Sequence, residues 1–139
     1  MRGADTLIPV RFLTLTSHLC VVITLLWESQ RSIRMCLPSQ HHADHFQIYH
    51  SRLVAGFASS LALIIVELIT FMSGLTMFSP SVCLLSSACH GSASIALTYF
   101  VLTGWQCSWY WPLFALFSVV PACADIATAL TTMCSVKWR

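Results

Sequence analysis

Residues 53–102 read LVAGFASSLALIIVELITFMSGLTMFSPSVCLLSSACHGSASIALTYFVL. Two apolar runs, Leu53 to Phe78 and Val82 to Leu102, are parted only by Ser79-Pro80-Ser81. A helix needs about 20 predominantly apolar residues to cross a bilayer, and both runs reach that length. Proline disfavours helix at the residue before it and brings no N–H of its own, so this break closes one helix and opens the next. The stretch predicts two membrane-spanning helices packed antiparallel through a tight turn.

Two more apolar runs flank this hairpin. One covers about residues 7–27, with Arg11 placed where a long side chain can snorkel to an interface and Trp27 at the other end. The other covers about 109–136 and contains Pro121 and Asp125. The expected fold is all-α, a four-helix transmembrane bundle forming a single membrane domain over 1–139, with spans near 7–27, 53–78, 82–102 and 109–136. Residues 28–52 hold Pro38, four histidines and five of the twelve charged residues, and read as a polar loop. Composition agrees: 57% of the 139 residues are apolar and 9% charged, against roughly a quarter charged in a soluble domain. Arg2 and Arg11 ahead of the apolar stretch from Phe12 to Trp27 resemble a secretory signal, yet no small-residue cleavage pattern follows, so an uncleaved first span is expected.

Four spans place both termini on one side. Arg2, Arg11, Lys137 and Arg139 stand on that side against Arg31, Arg34 and Arg52 in the long loop, a vote for cytoplasmic termini. Trp105, Trp109, Tyr110 and Trp111 between the last two runs mark an interfacial aromatic belt. Asparagine is absent, so there is no glycosylation sequon. The basic residues form no stripe, which excludes nucleic acid as an expected partner and leaves membrane lipids.

Three features carry possible chemistry. Small residues recur at helical spacing: Gly56 with Ser60, Ser87 with Gly91, and Ser92 with Ala96. Such pairs let helices in lipid approach closely, within this chain or against another membrane protein. Ionisable groups inside a bilayer are costly and turn inward to find partners. Counted at about 1.5 Å per residue, His18, Glu67, His90 and Asp125 reach similar depths, so one polar layer could hold all four, as a structural network or as a proton path. Of the seven cysteines, Cys36 and Cys107 lie in loops on one face, and topology predicts a disulfide between them. His41, His42, His45 and His50 resemble a metal cluster at first sight, but two adjacent histidines cannot share a helical face, and a solvated loop is expected, with no metal. No nucleophile elbow, phosphate loop or dinucleotide fingerprint occurs, so neither a cofactor nor a small-molecule substrate is expected.

Several short segments add up to a resemblance: Arg11-Phe-Leu-Thr-Leu15, Val21-Val-Ile-Thr-Leu25, Cys36-Leu-Pro38, Val66-Glu-Leu68, Ser73-Gly74 with Met77-Phe78, His90 with Ser92-Ala-Ser94, and Trp105-x-Cys107 with Tyr110-Trp111. In this order the chain resembles the transmembrane protein 107 family of ciliary proteins over nearly its whole length. The resemblance implies a non-enzymatic scaffolding component of the transition zone at the base of the primary cilium. It implies partners in the Meckel syndrome module, including tectonics, and a role in cilium assembly, in complex recruitment, in control of ciliary membrane composition and so in Hedgehog signalling. The chain departs from the family in its histidine-rich 41–50 stretch, in Asp125 where Glu is expected, and in a less basic end. The reading from another class is a small membrane-embedded sterol or lipid isomerase, or a proton- or ion-conducting protein, using Glu67, His90 and Asp125.

Overall fold

The computed structural model describes residues 2–36 and 43–137. Pro38, His41 and His42 of the histidine-rich stretch lie outside the described residues, as does the side chain of His45. Four helical segments are long and apolar enough to cross a membrane: Thr6–Trp27, Phe46–Met72, Pro80–Thr103 and Cys107–Lys137. No strand occurs among the described residues. The chain is a multi-pass, all-α membrane protein.

The first helix, α1, spans Arg2–Trp27 and a short second one, α2, spans Ser29–Cys36. Helical hydrogen bonds run unbroken between them, from Glu28 N–H to the Thr24 carbonyl at 2.9 Å and from Ser32 N–H to the Glu28 carbonyl at 3.0 Å. The third helix, α3, spans Ala43–Met72, 30 residues, or about 45 Å of rise against about 30 Å of hydrocarbon. The segment 28–52, expected as a loop, is therefore helical over much of its length. The reason is local: Ser32, Ile33 and Cys36 recur at helical spacing and all three are buried, so α2 docks one face on the bundle while its arginines stay wet.

α3 closes at Met72, not at Phe78, because Gly74 turns the backbone left-handed (φ 80°), a conformation only glycine adopts freely. Ser79 is extended (φ −92°, ψ 103°) and Pro80 opens α4, Pro80–Thr103. α4 ends at Gly104, again left-handed (φ 64°), whose N–H caps the Phe100 carbonyl. A Cβ there would lie 3.1 Å from the Met35 carbonyl oxygen, so the end of α2 rests on this turn.

The fourth span is composite. A 3₁₀ turn at Cys107–Trp109 leads into α5, Tyr110–Phe114, then a π-helical turn at Ala115–Val119, then α6, Val120–Lys137. Pro121 explains the wide turn, since it cannot donate to the Phe117 carbonyl four residues back and its ring crowds that carbonyl. The Val120 N–H reaches instead to the Ala115 carbonyl, five residues back. One extra residue in the turn swings Ser118 into the interior, where it is 2% exposed.

The apolar core joins Leu15, Val22 and Leu25 of α1 to Ile33 of α2, Phe57 and Ile64 of α3, Phe100 of α4 and Tyr110 of α5. Three of the belt aromatics stay outside, with Trp105 at 40%, Trp109 at 57% and Trp111 at 46% exposure. Tyr110 does not belong with them: it is 1% exposed and meets the Phe57 ring edge-on at 4.8 Å.

At the loop-bearing end, Cys36 of α2 and Cys107 are joined in a disulfide with Cα atoms 5.2 Å apart and a sequence separation of 71. It ties the first span to the entrance of the fourth. A closed loop of that length constrains the unfolded chain by about 4 kcal/mol in the chain-entropy treatment. Cys36→Ser should therefore lower the melting temperature of the purified protein, and non-reducing mass spectrometry of untreated cells should recover the Cys36 and Cys107 peptides linked. Recovery of both as alkylated free thiols would count against the bridge.

Candidate functional site

The polar side chains of the interior stack into three tiers along the bundle. Nearest the termini, Arg11 of α1 holds Asp125 of α6 with Nη2 and Oδ1 2.5 Å apart, both side chains fully buried. The second Arg11 nitrogen donates to the hydroxyl of Thr76 at 3.2 Å and lies 3.4 Å from its carbonyl oxygen, in the turn between α3 and α4. Thr70 of α3 donates to the other Asp125 oxygen. The guanidinium also lies over the Phe71 ring, 5.1 Å from its centre. With its Nη1 also 3.8 Å from the Cys83 sulfur of α4, this one cation on the first span meets side chains of the other three and the turn between two of them.

Seven residues further along α1, about 10 Å, His18 begins the second tier. Its Nδ1 is 2.8 Å from Nδ1 of His90 on α4, and His90 Nε2 is 2.9 Å from Glu67 Oε2 on α3. The Ser86 hydroxyl donates to the same carboxylate oxygen at 3.4 Å. With Glu67 ionised, His90 Nε2–H is the donor to it. The contact between the two Nδ1 atoms then holds one proton, carried by His18 when both rings are neutral and by His90 when it is a cation. The Arg11 Nε and Glu67 Oε1 atoms are buried without a hydrogen-bond partner. Beyond this tier, the Ser60 hydroxyl sits 3.0 Å from that of Tyr110 and 3.4 Å from that of Ser118.

His18, Glu67 and His90 come together in one cluster, and Asp125 stands apart from it with Arg11. Thr70, one turn past Glu67 on α3, lies between the two groups, its hydroxyl 2.9 Å from the Glu67 carbonyl oxygen as well as bound to Asp125. The snorkelling expected of Arg11 is overturned: α1 already starts at Arg2, so position 11 lies well inside the helix, and Asp125 offers it a buried counter-ion. Sequence reasoning also left out Thr70 and Thr76, and it placed Tyr110 in the interfacial belt instead of the interior. The signal it had was a single cation within an apolar run and a single unpaired aspartate in another.

The small residues divide by face. Ser87 is buried and donates to the Cys83 carbonyl at 2.7 Å, while Gly91 lies against α1, where an added Cβ would meet Thr14 Cγ2 at 3.6 Å. Ser92 is exposed and Ala96 half-buried, so they do not extend that face. On α3, Gly56 makes room for the Tyr110 ring, which an added Cβ would meet at 2.6 Å, and Ser60 binds its hydroxyl. His50 of the former loop is half-buried, with its ring 5.9 Å from that of Phe46. No group of three metal-binding side chains occurs among the described residues.

Two predictions follow from this packing. Replacing one member of the Arg11–Asp125 pair strands the other in a dry interior, at about 3 kcal/mol. Asp125→Leu should cut abundance and melting temperature sharply, and the double change with Arg11→Leu should recover much of the loss. A double variant as unstable as the single one would contradict this account. Gly56→Ala should destabilise by about 1–3 kcal/mol through overpacking, because Tyr110 is pinned by Phe57 and Ser60. Gly91→Ala meets only ordinary contact and gains about 0.8–1.0 kcal/mol of helix propensity, so thermal melts should rank it at or above the parent.

The model of a transmembrane protein family, TMEM107, matches residues 7–129. Curated relatives named Transmembrane protein 107 include one from Homo sapiens, 41% identical over 131 residues and covering 94% of each chain. One from Mus musculus is 44% identical over 121 residues, covering 87% of this chain and 86% of its own. One from Danio rerio is 38% identical over 131 residues, covering 94% of this chain and 97% of its own. No solved structure matches. A four-span fold whose matched segment runs from the first span through Asp125 to Ala129, with relatives this similar over most of their length, leads to one conclusion: the chain belongs to the transmembrane protein 107 family.

Proposed function

We propose that this protein is a scaffolding membrane component of the ciliary transition zone, working with other membrane proteins of the Meckel syndrome module, tectonics among them. In this reading it supports cilium assembly and complex recruitment and helps to set which proteins populate the ciliary membrane, and through that it affects Hedgehog signalling. Family membership is the observation that carries the proposal. The interior supports it, because the ionisable groups in the spans are engaged by other groups of the same chain. The cavity beside His18, Ser60 and Tyr110 holds about 10 Å³, room for about one water and none for a sterol. The combined layer of Glu67, His90 and Asp125 on which a proton- or lipid-processing reading rests does not form, since Asp125 pairs with Arg11 in a separate tier.

We further infer cytoplasmic termini. With Arg11 buried, the charge count falls to three against three and chooses no side. The disulfide between Cys36 and Cys107 supports this reading, since such bonds persist in the endoplasmic reticulum lumen and outside the cell.

A tagged copy in ciliated cells lacking their own relative should form a ring at the ciliary base, restore cilia and co-isolate tectonics. A stably expressed protein spread evenly through internal membranes, with no recovery of tectonics, would sink the proposal. Purified protein should leave sterols unchanged, and turnover abolished by Glu67→Gln would favour the enzymatic reading.

A further inference from the structure

A groove of about 440 Å³ runs between α1, α2 and α4 at the disulfide-bearing end of the bundle. Val21, Leu25, Leu97 and Val101 form its apolar interior, and Glu28, Arg31, Ser32 and Met35 form its rim. From Cys20 at its deep end to Glu28 at the rim is eight residues of helix, about 12 Å, so the groove starts at the interface and penetrates well into the hydrocarbon. Trp27, 87% exposed, marks that interface. Above the rim lies a wider polar hollow of about 650 Å³ that shares Glu28, Arg31 and Met35 with the groove and adds Trp27, Arg34 and His50. An apolar slot opening into a charged vestibule has the shape of a lipid with its headgroup, not of a bare acyl chain.

The charges narrow the class. Glu28 and Arg31 sit three residues apart on the vestibule floor, yet the two ion pairs among the described residues are Arg11–Asp125 and Glu67–His90. Among the described residues, neither the Glu28 carboxylate nor the Arg31 guanidinium is in an ion pair. His50 Nε2, in the vestibule wall, is buried without a hydrogen-bond partner. A sterol brings one hydroxyl and no charge, so it answers neither ionic group. A net-anionic headgroup answers Arg31 and is opposed by Glu28.

We propose that the groove and vestibule hold one phosphatidylcholine molecule, independently of the scaffolding role. Its phosphate pairs with Arg31 and accepts from His50. Its quaternary ammonium lies between the Glu28 carboxylate and the face of Trp27, an arrangement aromatic rings favour for such cations. One acyl chain fills the slot between α1 and α4. A lipid held there buries the outer edge of the contact between α1 and α4 and couples their packing to the composition of the leaflet it comes from.

The test uses the full-length protein in nanodiscs of phosphatidylcholine, phosphatidylglycerol and cholesterol, with a photoactivatable phosphatidylcholine carrying a diazirine in its acyl chain. Cross-linked peptides should come from Cys20–Leu25 and Leu97–Leu102, several-fold above those around the lipid-facing Leu130 of α6. Unlabelled phosphatidylcholine should compete better than the other two lipids. Thr98→Trp, which fills the slot, should abolish the enrichment, and Glu28→Gln with Arg31→Gln should weaken it while the disulfide still forms. Should Thr98→Trp fail to fold, the two exposed rim changes carry the test alone. Equal labelling around Leu130, better competition by phosphatidylglycerol or cholesterol, or full enrichment in the rim variant would each overturn the proposal.

Discussion

A charge buried in hydrocarbon must be matched by another group of the protein, and in this chain Arg11 sets the terms. Its guanidinium touches α6 through Asp125 and the turn after α3 through Thr76, while Thr70 on α3 binds the same aspartate. Hydrophobic sequestration cannot hold helices together in lipid, where tails are as apolar as leucine. The bundle therefore depends on directional contacts, and the tiers supply them at three depths. Because each contact joins residues from different spans, sliding one helix by a turn would break several at once. Register is fixed by polar groups and filled in by the apolar core.

Geometry at the two outer tiers follows from a backbone irregularity nearby. Gly74 ends α3 early and brings Thr76 under the first span. The missing N–H of Pro121 widens the fourth span and turns Ser118 toward Ser60. Gly56 leaves the space in which Tyr110 lies against Phe57. Each irregularity gives up a regular helical bond or a side chain, and in each case the freed position receives a contact from another helix.

The four spans and the hairpin were legible because a membrane imposes a one-dimensional requirement that apolar length can satisfy or fail. Depth counting also grouped His18, Glu67 and His90, since rise along a helix is nearly constant. It failed for Asp125, whose partner depends on which way each helix faces, and for Arg11, whose place near the start of the run reads equally well as an edge. The helical character of 29–36 was hidden because a polar segment that buries three residues looks, in composition, like a loop. Tyr110 was grouped with its tryptophan neighbours for the same reason: position along the chain reports depth, while rotation about the axis decides whether a ring meets lipid or core.

The pair between the first and last spans has a consequence for the order of synthesis. Arg11 and Asp125 are 114 residues apart, so at roughly 5–20 residues per second the arginine waits about 6 to 23 seconds for its counter-ion to be made. During that interval an unpaired arginine within an inserted helix is costly, and its place toward the terminal end of the span favours holding the helix shallow with the guanidinium among headgroups. Completion of the fourth span then draws the first one inward. On this reasoning, any partner that engages the first helix before the fourth is made would meet the Arg11 face that the finished protein buries.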